Sequence, residues 1–383
     1  MLEDLNPWWF YDKWEKEDVS MQSWKSNEIK WIPGWIKEIS LKPFSLNFVI
    51  GPRQVGKTTG IKFLIKEIIE KGENPRDIVY INCDFLNTTK EMHRILKKIY
   101  DKKFIILDEI TSLEYWWKPI KGFVDTGLLK NSVLIISGSS SIKLKKYSES
   151  FPGRKGKGKE ITVLPLSFPE FVRVMYGNAR GIELEKALEK YFELGGFPRS
   201  INRDKTFPED FVRSIDREIS KIERDYRIAR LIIYSALKKG SSACSYSSLG
   251  KDVELNHVIV RKYLGLLEDL FILKVAFLKE NKNILFKKEK KIFIRDPWIA
   301  RVYARLYEIP LGKEVLLEWV VQEHLFRKFG EIYYFKNSYE IDCIARDLKI
   351  EVKTKKPHRK YPKDVLILNE EEIPRFLVEI SGK

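Results

Sequence analysis

Between Leu46 and about Ser200, short apolar runs alternate with stretches whose apolar residues recur at helical spacing. The runs are Leu46-Asn47-Phe48-Val49-Ile50, Ile78-Val79-Tyr80-Ile81, Phe104-Ile105-Ile106-Leu107 and Val133-Leu134-Ile135-Ile136. Continuous apolar strands of this kind are buried on both faces, which predicts a parallel sheet covered by helices. Between the first two runs, Ile61, Leu64, Ile65, Ile68 and Ile69 fall on one helical face, and Gly72 stands where a helix would end. The opening unit therefore reads as strand, turn, helix.

From about Glu209 to Tyr303 the pattern is mainly helical. Two short helices, 247–253 and 256–267, are separated by a polar break and followed by small strands at 272–277 and 292–294. This order predicts a winged helix-turn-helix. The last 70 or so residues change again: a long amphipathic helix over about 314–329 precedes strands at 332–335, 340–345 and 348–353. They predict a further α/β domain.

Ahead of the first strand lie Trp8, Trp9, Trp14, Trp24, Trp31 and Trp35, six of the ten tryptophans in the chain. They mark an N-terminal strap. Either the rings form an aromatic shelf for a purine base or they are buried against the domain that follows, and burial is the expectation.

With 44% apolar and 32% charged residues, the 383-residue chain has ample material for packed cores, which excludes disorder as its general state. Abundant Lys, Glu and Ile with scarce Gln and Cys suggest a thermophile composition. The formal charge of +16 favours a polyanionic partner, because neutralising phosphates releases counterions. A solvated lysine-rich surface is the plainer alternative.

Cys83, Cys244 and Cys343 are far apart, and His93, His257, His324 and His358 form no ligand-spaced pair, so neither a disulfide scaffold nor a zinc site is expected. No apolar stretch approaches the length of a membrane span, and the start, Met1-Leu2-Glu3-Asp4, is unlike a secretory signal. These features lead to the expectation of a cytoplasmic protein.

The sharpest chemistry is Gly51-Pro52-Arg53-Gln54-Val55-Gly56-Lys57-Thr58, followed by Thr59, which fits G-x-x-x-x-G-K-[ST] between an apolar strand and an amphipathic helix. Glycines allow backbone N–H groups to close around phosphates at a helix N-terminus, and Lys57 adds a point charge. Thr58 offers a hydroxyl to Mg²⁺. About fifty residues on, the strand 104–107 ends in Asp108 and Glu109. Asp108 is suited to holding Mg²⁺ and Glu109 to polarising the water that attacks the γ-phosphate. Ser137, at the end of the next strand with Gly138, Ser139 and Ser140, is placed to sense that phosphate, or forms a plain turn. Arg154, in a Gly- and Lys-rich loop, is a candidate arginine finger offered to a neighbouring subunit.

Taken in order, the P-loop, Asp108-Glu109, Gly153-Arg154, Leu164-Pro165-Leu166-Ser167-Phe168-Pro169-Glu170-Phe171 and Gly195-Gly196-Phe197-Pro198 resemble the archaeal and bacterial AAA+-type ATPases of the predicted-ATPase superfamily. The resemblance implies that Gly196-Phe197-Pro198 lies over the nucleotide base, with Pro198 as a contact. It extends over essentially the whole chain.

Near the C-terminus, Asp342 precedes Glu351 by nine residues and Lys353 by eleven. If the two strands form a hairpin turning at Arg346-Asp347, Asp342 faces Glu351, and strand alternation puts Lys353 on the Glu351 face. Two carboxylates suit a divalent metal, a lysine can orient hydroxide, and Glu318 on the preceding helix is a third acid. This order resembles the PD-(D/E)XK restriction-endonuclease-like fold, with Cys343 where a bulkier apolar residue is usual and a dense basic tail over 353–360.

The expected plan is α/β: a strap over 1–45, a P-loop AAA+-like parallel-sheet ATPase with helical lid over 46–208, a winged helix over 209–305 and a nuclease-like domain over 306–383. It implies Mg-dependent ATP hydrolysis by a protein acting on nucleic acid, with DNA the expected partner. His257, Arg261 and Lys262 are candidate phosphate contacts, and the Arg154 loop a candidate homo-oligomer contact. The alternative is a nucleotide-dependent switch or scaffold whose last domain is inert. A small-molecule kinase would leave Glu109 and the two later domains without a purpose.

Overall fold

The computed structural model describes residues 2–139, 151, 153–177, 183–354 and 360–381. They divide into two compact units, Met1–Leu164 and Pro165–Lys383.

In the first unit, β1 (Ser45–Ile50), β2 (Ile78–Asn82), β3 (Phe104–Asp108), β4 (Val133–Gly138) and β5 (Glu160–Thr162) form one parallel sheet in the order β2-β3-β4-β1-β5. Every residue of β1, β3 and β4 is buried, which is why those strands read as unbroken apolar runs. Register sets Ile50 beside Gly138 and Leu107 beside Ile136. The loop after β1, the acids after β3 and the serines of β4 thus emerge at one sheet edge, the carboxyl end where open α/β sheets bind ligands.

The tryptophan strap covers the other vulnerable place, the edge strand β2. The Asn6 amide donates to the Tyr80 carbonyl at 3.0 Å, and its oxygen accepts from the Tyr80 N–H at 2.7 Å, as a neighbouring strand would. Both Trp8 and Trp9 donate their indole N–H to the Ile78 carbonyl. Trp8 and Trp14 meet edge to face at 5.2 Å, Trp24 packs on Phe63 at 4.7 Å, and all six rings are buried or half-buried. Packing and indole hydrogen bonds therefore account for the placement of Trp8, Trp9, Trp14 and Trp24.

The second unit begins with the helices Phe168–Tyr176, Leu184–Leu194 and Phe207–Ser220. Three more follow, Tyr226–Lys239, Tyr246–Lys251 and His257–Asp269, and then the hairpin of β6 (Leu273–Glu280) and β7 (Asn283–Ile294). After the helices Pro297–Leu306 and Lys313–Phe329 come β8 (Tyr333–Lys336), β9 (Glu340–Ala345), β10 (Leu348–Lys353) and β11 (Val365–Asn369). All six strands share one sheet, in the order β11-β10-β9-β8-β6-β7.

Three differences from the expected plan stand out. One sheet crosses the 305/306 boundary, and residues 165–208 cluster with the second unit rather than with the sheet that carries the P-loop. The hairpin is also longer than the strands 272–277 and 292–294. The distal half of β7 is exposed or half-exposed, with Phe286, Lys287 and Lys288 exposed, whereas its proximal half from Lys290 to Ile294 is buried.

Candidate functional site

Two pockets carry the chemistry, one in each unit. In the first, the chain leaves β1 through a loop that takes left-handed backbone at Gln54 (φ +61°) and Gly56 (φ +91°) before entering the helix Lys57–Glu70. A β-carbon on Gly51 would lie 2.1 Å from the Val163 carbonyl oxygen, so only glycine fits there. Lys57 is 4% exposed and folds back to donate to the carbonyls of Gly51 (3.0 Å) and Pro52 (2.8 Å).

The two acids stand beside this loop. Thr58 Oγ1 donates to Asp108 Oδ2 at 2.7 Å, as does the Tyr80 hydroxyl at 2.8 Å, and Ser137 Oγ donates to Asp108 Oδ1. Burial, with the negative charge of Asp108 next in weight, holds the Tyr80 hydroxyl well above its ordinary pKa, so it remains a donor. Glu109 occupies left-handed backbone (φ +50°), an uncommon conformation that aims its side chain off the strand end, and its Oε2 accepts from Ser139 Oγ at 3.0 Å. The backbone N–H of Glu109 points to Ser137 Oγ at 3.3 Å. Ser137 and Ser139 thus each hold one of the acids. A hydroxyl and a carboxylate 2.7 Å apart, at a helix N-terminus, fit the donor set of a hydrated Mg²⁺ ion.

Lys62, one turn farther along the helix, forms a buried ion pair with Asp18 of the strap at 3.0 Å and lies 3.7 Å from the Tyr80 ring centre. Burial lowers its pKa despite Asp18. Sequence reasoning did not single out Lys62, Tyr80 or Asp18, because their meeting depends on where the strap runs.

Arg154 is placed against Asp125, at the end of the helix Trp117–Asp125, and its side chain is 34% exposed. Ser140 and most of the charged run 143–159 lie outside the described residues. Pro198 opens the short helix Pro198–Ile201 in the second unit, where the Gly195-Gly196 turn is held by Asp296: Oδ2 accepts from the Gly196 N–H at 3.0 Å. A β-carbon on Gly196 would meet the Leu166 carbonyl oxygen at 2.2 Å. Burial raises the Asp296 carboxyl pKa to about 6, although hydrogen bonds from the backbone N–H groups of Gly196, Trp298 and Ile299 oppose the shift.

The second pocket is a cavity of about 280 Å³ lined by Glu318, Glu340, Asp342, Lys291, Lys336 and Lys353 among others. As the hairpin geometry requires, Leu348 pairs with Ala345 and Ile350 with Cys343, so the turn falls at Arg346-Asp347. Asp342 N–H donates to Glu351 Oε2 at 3.2 Å, and Val352 N–H to Asp342 Oδ2 at 2.9 Å. Lys353 pairs with Glu351 on the same face, and the Tyr361 hydroxyl donates to Glu351 Oε1 at 2.9 Å. Glu318, from the helix Lys313–Phe329, joins the group.

What joins it is a residue that the sequence did not bring forward. Lys291, on the buried half of β7 and 2% exposed, places Nζ 2.6 Å from Asp342 Oδ1, 2.9 Å from Glu318 Oε1 and 2.9 Å from Glu340 Oε1. Burial alone would lower its pKa, but the charges of Glu318, Asp342 and Glu340 outweigh that and hold it well above normal. Burial followed by the Asp342 charge raises Glu318, and the same pair of causes raises Glu351. Among the described residues, no three of His, Cys, Asp and Glu are arranged to hold a metal ion. A divalent metal does not fit this pocket as it is built, because a cation already stands between its carboxylates. The only sequence signal for Lys291 is its position one residue before Ile292-Phe293-Ile294, where a charged run turns into a buried strand.

Residues 43–172 match the family model described as the AAA domain, and residues 185–307 match a domain of unknown function. An uncharacterised protein of Methanocaldococcus jannaschii is 24% identical over 346 residues, covering 80% of this chain and 73% of that protein. One from Haemophilus influenzae is 22% identical over 376 residues, covering 88% and 89%. The ORC1-type DNA replication protein of Pyrococcus furiosus is 29% identical over 139 residues, 26% of this chain and 33% of its own length. Among solved structures, the Aeropyrum pernix ORC2 protein aligns over 70% of this chain and 89% of its own, at 13% identity and a TM-score of 0.43. The matched segment carries the phosphate loop and its paired acids, so residues 43–172 are similar to the AAA domain in both sequence and the layout of a P-loop nucleotide pocket. No helix among the described residues is long and apolar enough to cross a membrane.

Proposed function

We propose that the protein is an Mg²⁺-dependent ATPase that couples its nucleotide state to nucleic-acid binding. The observation that carries this reading is the joined pair of acids: Asp108 bonded to Thr58, and Glu109 held by Ser139 beside it. Thr58 and Asp108 would hold the ion, which supplies charge stabilisation to the transferring phosphoryl group. Lys57 leaves neutral carbonyls for the β and γ oxygens, the loop N–H groups cradle the phosphates, and Glu109 orients the attacking water. Ser137 reports the state of Asp108 and Glu109 to β4. Arg154, after leaving Asp125, serves a neighbouring subunit.

The nucleic-acid half of the proposal rests on the middle of the chain. The helix His257–Asp269 exposes His257, Arg261 and Lys262, and the hairpin after it exposes Lys282, Lys287 and Lys288. Helix and hairpin together form a basic surface of the winged-helix kind, suited to phosphate contacts. The relative named as a DNA replication protein agrees with this direction.

The test is phosphate release with Mg²⁺ by the full chain and Glu109→Gln, together with duplex-DNA binding by the full chain and Arg261→Glu/Lys262→Glu. Glu109→Gln should bind ATP but lose turnover, and the double substitution should weaken DNA binding while sparing turnover. Turnover unaffected by Glu109→Gln would defeat the hydrolytic assignment. A switch whose nuclease-like end is inert is the second reading, and Lys291 among the C-terminal carboxylates favours it.

A further inference from the structure

We propose that Lys291 is the resident cation of the C-terminal acidic pocket and takes the place a divalent metal would need, so that the pocket is a metal-free ionic joint. This goes beyond the ATPase reading and does not depend on it.

The donors around the carboxylates are already assigned. Asp342 Oδ1 is taken by Lys291 Nζ and Oδ2 by the Val352 N–H. Glu351 Oε1 is taken by Lys353 and the Tyr361 hydroxyl, and Oε2 by the Asp342 N–H. Glu318 Oε1 accepts from Lys291 and from Gln322 Nε2 at 3.0 Å. Both oxygens of Asp342 and both of Glu351 therefore have protein donors. Mg²⁺ and Mn²⁺ favour near-octahedral oxygen shells and would have to enter within about 3 Å of an ammonium group, where like charges repel strongly.

The ammonium also does what a bound metal would do for the fold. It binds carboxylates from two elements to a third: the buried Glu318 on the long helix, and the buried Asp342 and half-exposed Glu340 on β9, are all held by a lysine of β7. In the sheet order, β7 is an edge strand separated from β9 by β6 and β8, so this cluster ties across the sheet face rather than along its ladder. Covalent attachment to β7 makes the cation permanent and independent of solution metal. The exposed half of the same strand carries Phe286, Lys287 and Lys288, so the joint also anchors the hairpin that presents them.

The test is Mn²⁺ binding followed by electron paramagnetic resonance and calorimetry, without nucleotide, on the full chain, Asp342→Asn, Lys291→Ala and Lys291→Ala/Asp342→Asn. The full chain and Asp342→Asn should bind the same amount of Mn²⁺. Lys291→Ala should take up one further equivalent, raise its melting temperature when Mn²⁺ is added, and lose both effects in the double variant. Mn²⁺ bound by the full chain and lost in Asp342→Asn overturns the proposal, as does a folded Lys291→Ala that gains no Mn²⁺. If Lys291→Ala does not fold, the first pair decides alone. A repeat with duplex DNA present should leave that pair equal, and Asp342-dependent uptake appearing there would show the lysine to be displaceable and overturn permanent occupancy.

Discussion

Each unit of this protein buries a lysine where polyvalent charge is to be handled, and the two are held in opposite ways. Lys57 rests on the carbonyls of Gly51 and Pro52, whereas Lys291 is surrounded by Glu318, Glu340 and Asp342. Neutral acceptors attract an ammonium group weakly enough for a phosphate to replace them. Three carboxylates in a buried pocket hold it too strongly for a solution cation to compete. The same side chain thus makes a ligand-ready site in one unit and a closed joint in the other, and the difference lies in the charge of its partners.

Stability should separate the two lysines most sharply. Lys291→Met leaves buried carboxylates without their counter-ion and should lower unfolding free energy by about 3–5 kcal/mol, whereas Lys57→Met should cost no more than about 1.5 kcal/mol. Denaturant unfolding of both variants checks this, and equal losses would dissolve the contrast.

A second buried ionisable group sharpens it through pH. His324 accepts from the Phe168 N–H at Nε2 (2.9 Å) and uses Nδ1 toward the Val320 carbonyl, an arrangement only the neutral ring satisfies. Burial, with the Arg327 charge next, lowers its pKa to about 4. The unfolded chain takes up a proton below about pH 6.5 that the folded chain refuses until about pH 4. His324 therefore contributes stability that is full above pH 6.5 and lost as pH falls, by roughly 3 kcal/mol in all. Asp296, raised to about 6, acts in the opposite sense: its contribution is lost as pH rises from about 4 to 6. The difference between the unfolding curves of the full chain and His324→Gln isolates the histidine, and a difference independent of pH would refute the assignment.

An effect similar in size to that of Lys57→Met, and the most local, is expected at the strap. Asn6→Ala removes two hydrogen bonds to the edge strand β2 and should cost about 1–2 kcal/mol, with faster amide exchange at Tyr80 as the local readout. It should leave Lys291 and the second unit untouched.

The nucleotide pocket was legible because its parts are local. A P-loop is eight consecutive residues between a strand and a helix, and Asp108-Glu109 lies at the end of an apolar run; the parallel sheet then brings the two together. Asp342, Glu351 and Lys353 were legible for the same reason, since a hairpin with a two-residue turn converts a spacing of nine into a contact. Lys291 was not, because it lies 51 positions from Asp342 and in a polar run that looks solvated. Tyr361 also lacked any signal at short range, whereas Glu340 shares the Asp342 face by strand alternation.

By itself, the sequence determined the strands β1 to β4, the phosphate loop with its acids, and that Asp342 meets Glu351, because periodicity and short spacing act within one or two elements. Only the tertiary structure decided that the strap seals the edge of β2, that one sheet joins β6 and β7 to β8–β11, and that a lysine fills the acidic pocket. Those outcomes depend on which distant elements share a face, and burial sets their energies: an ammonium that would be unremarkable in water becomes decisive where Glu318 and Asp342 have lost their solvent.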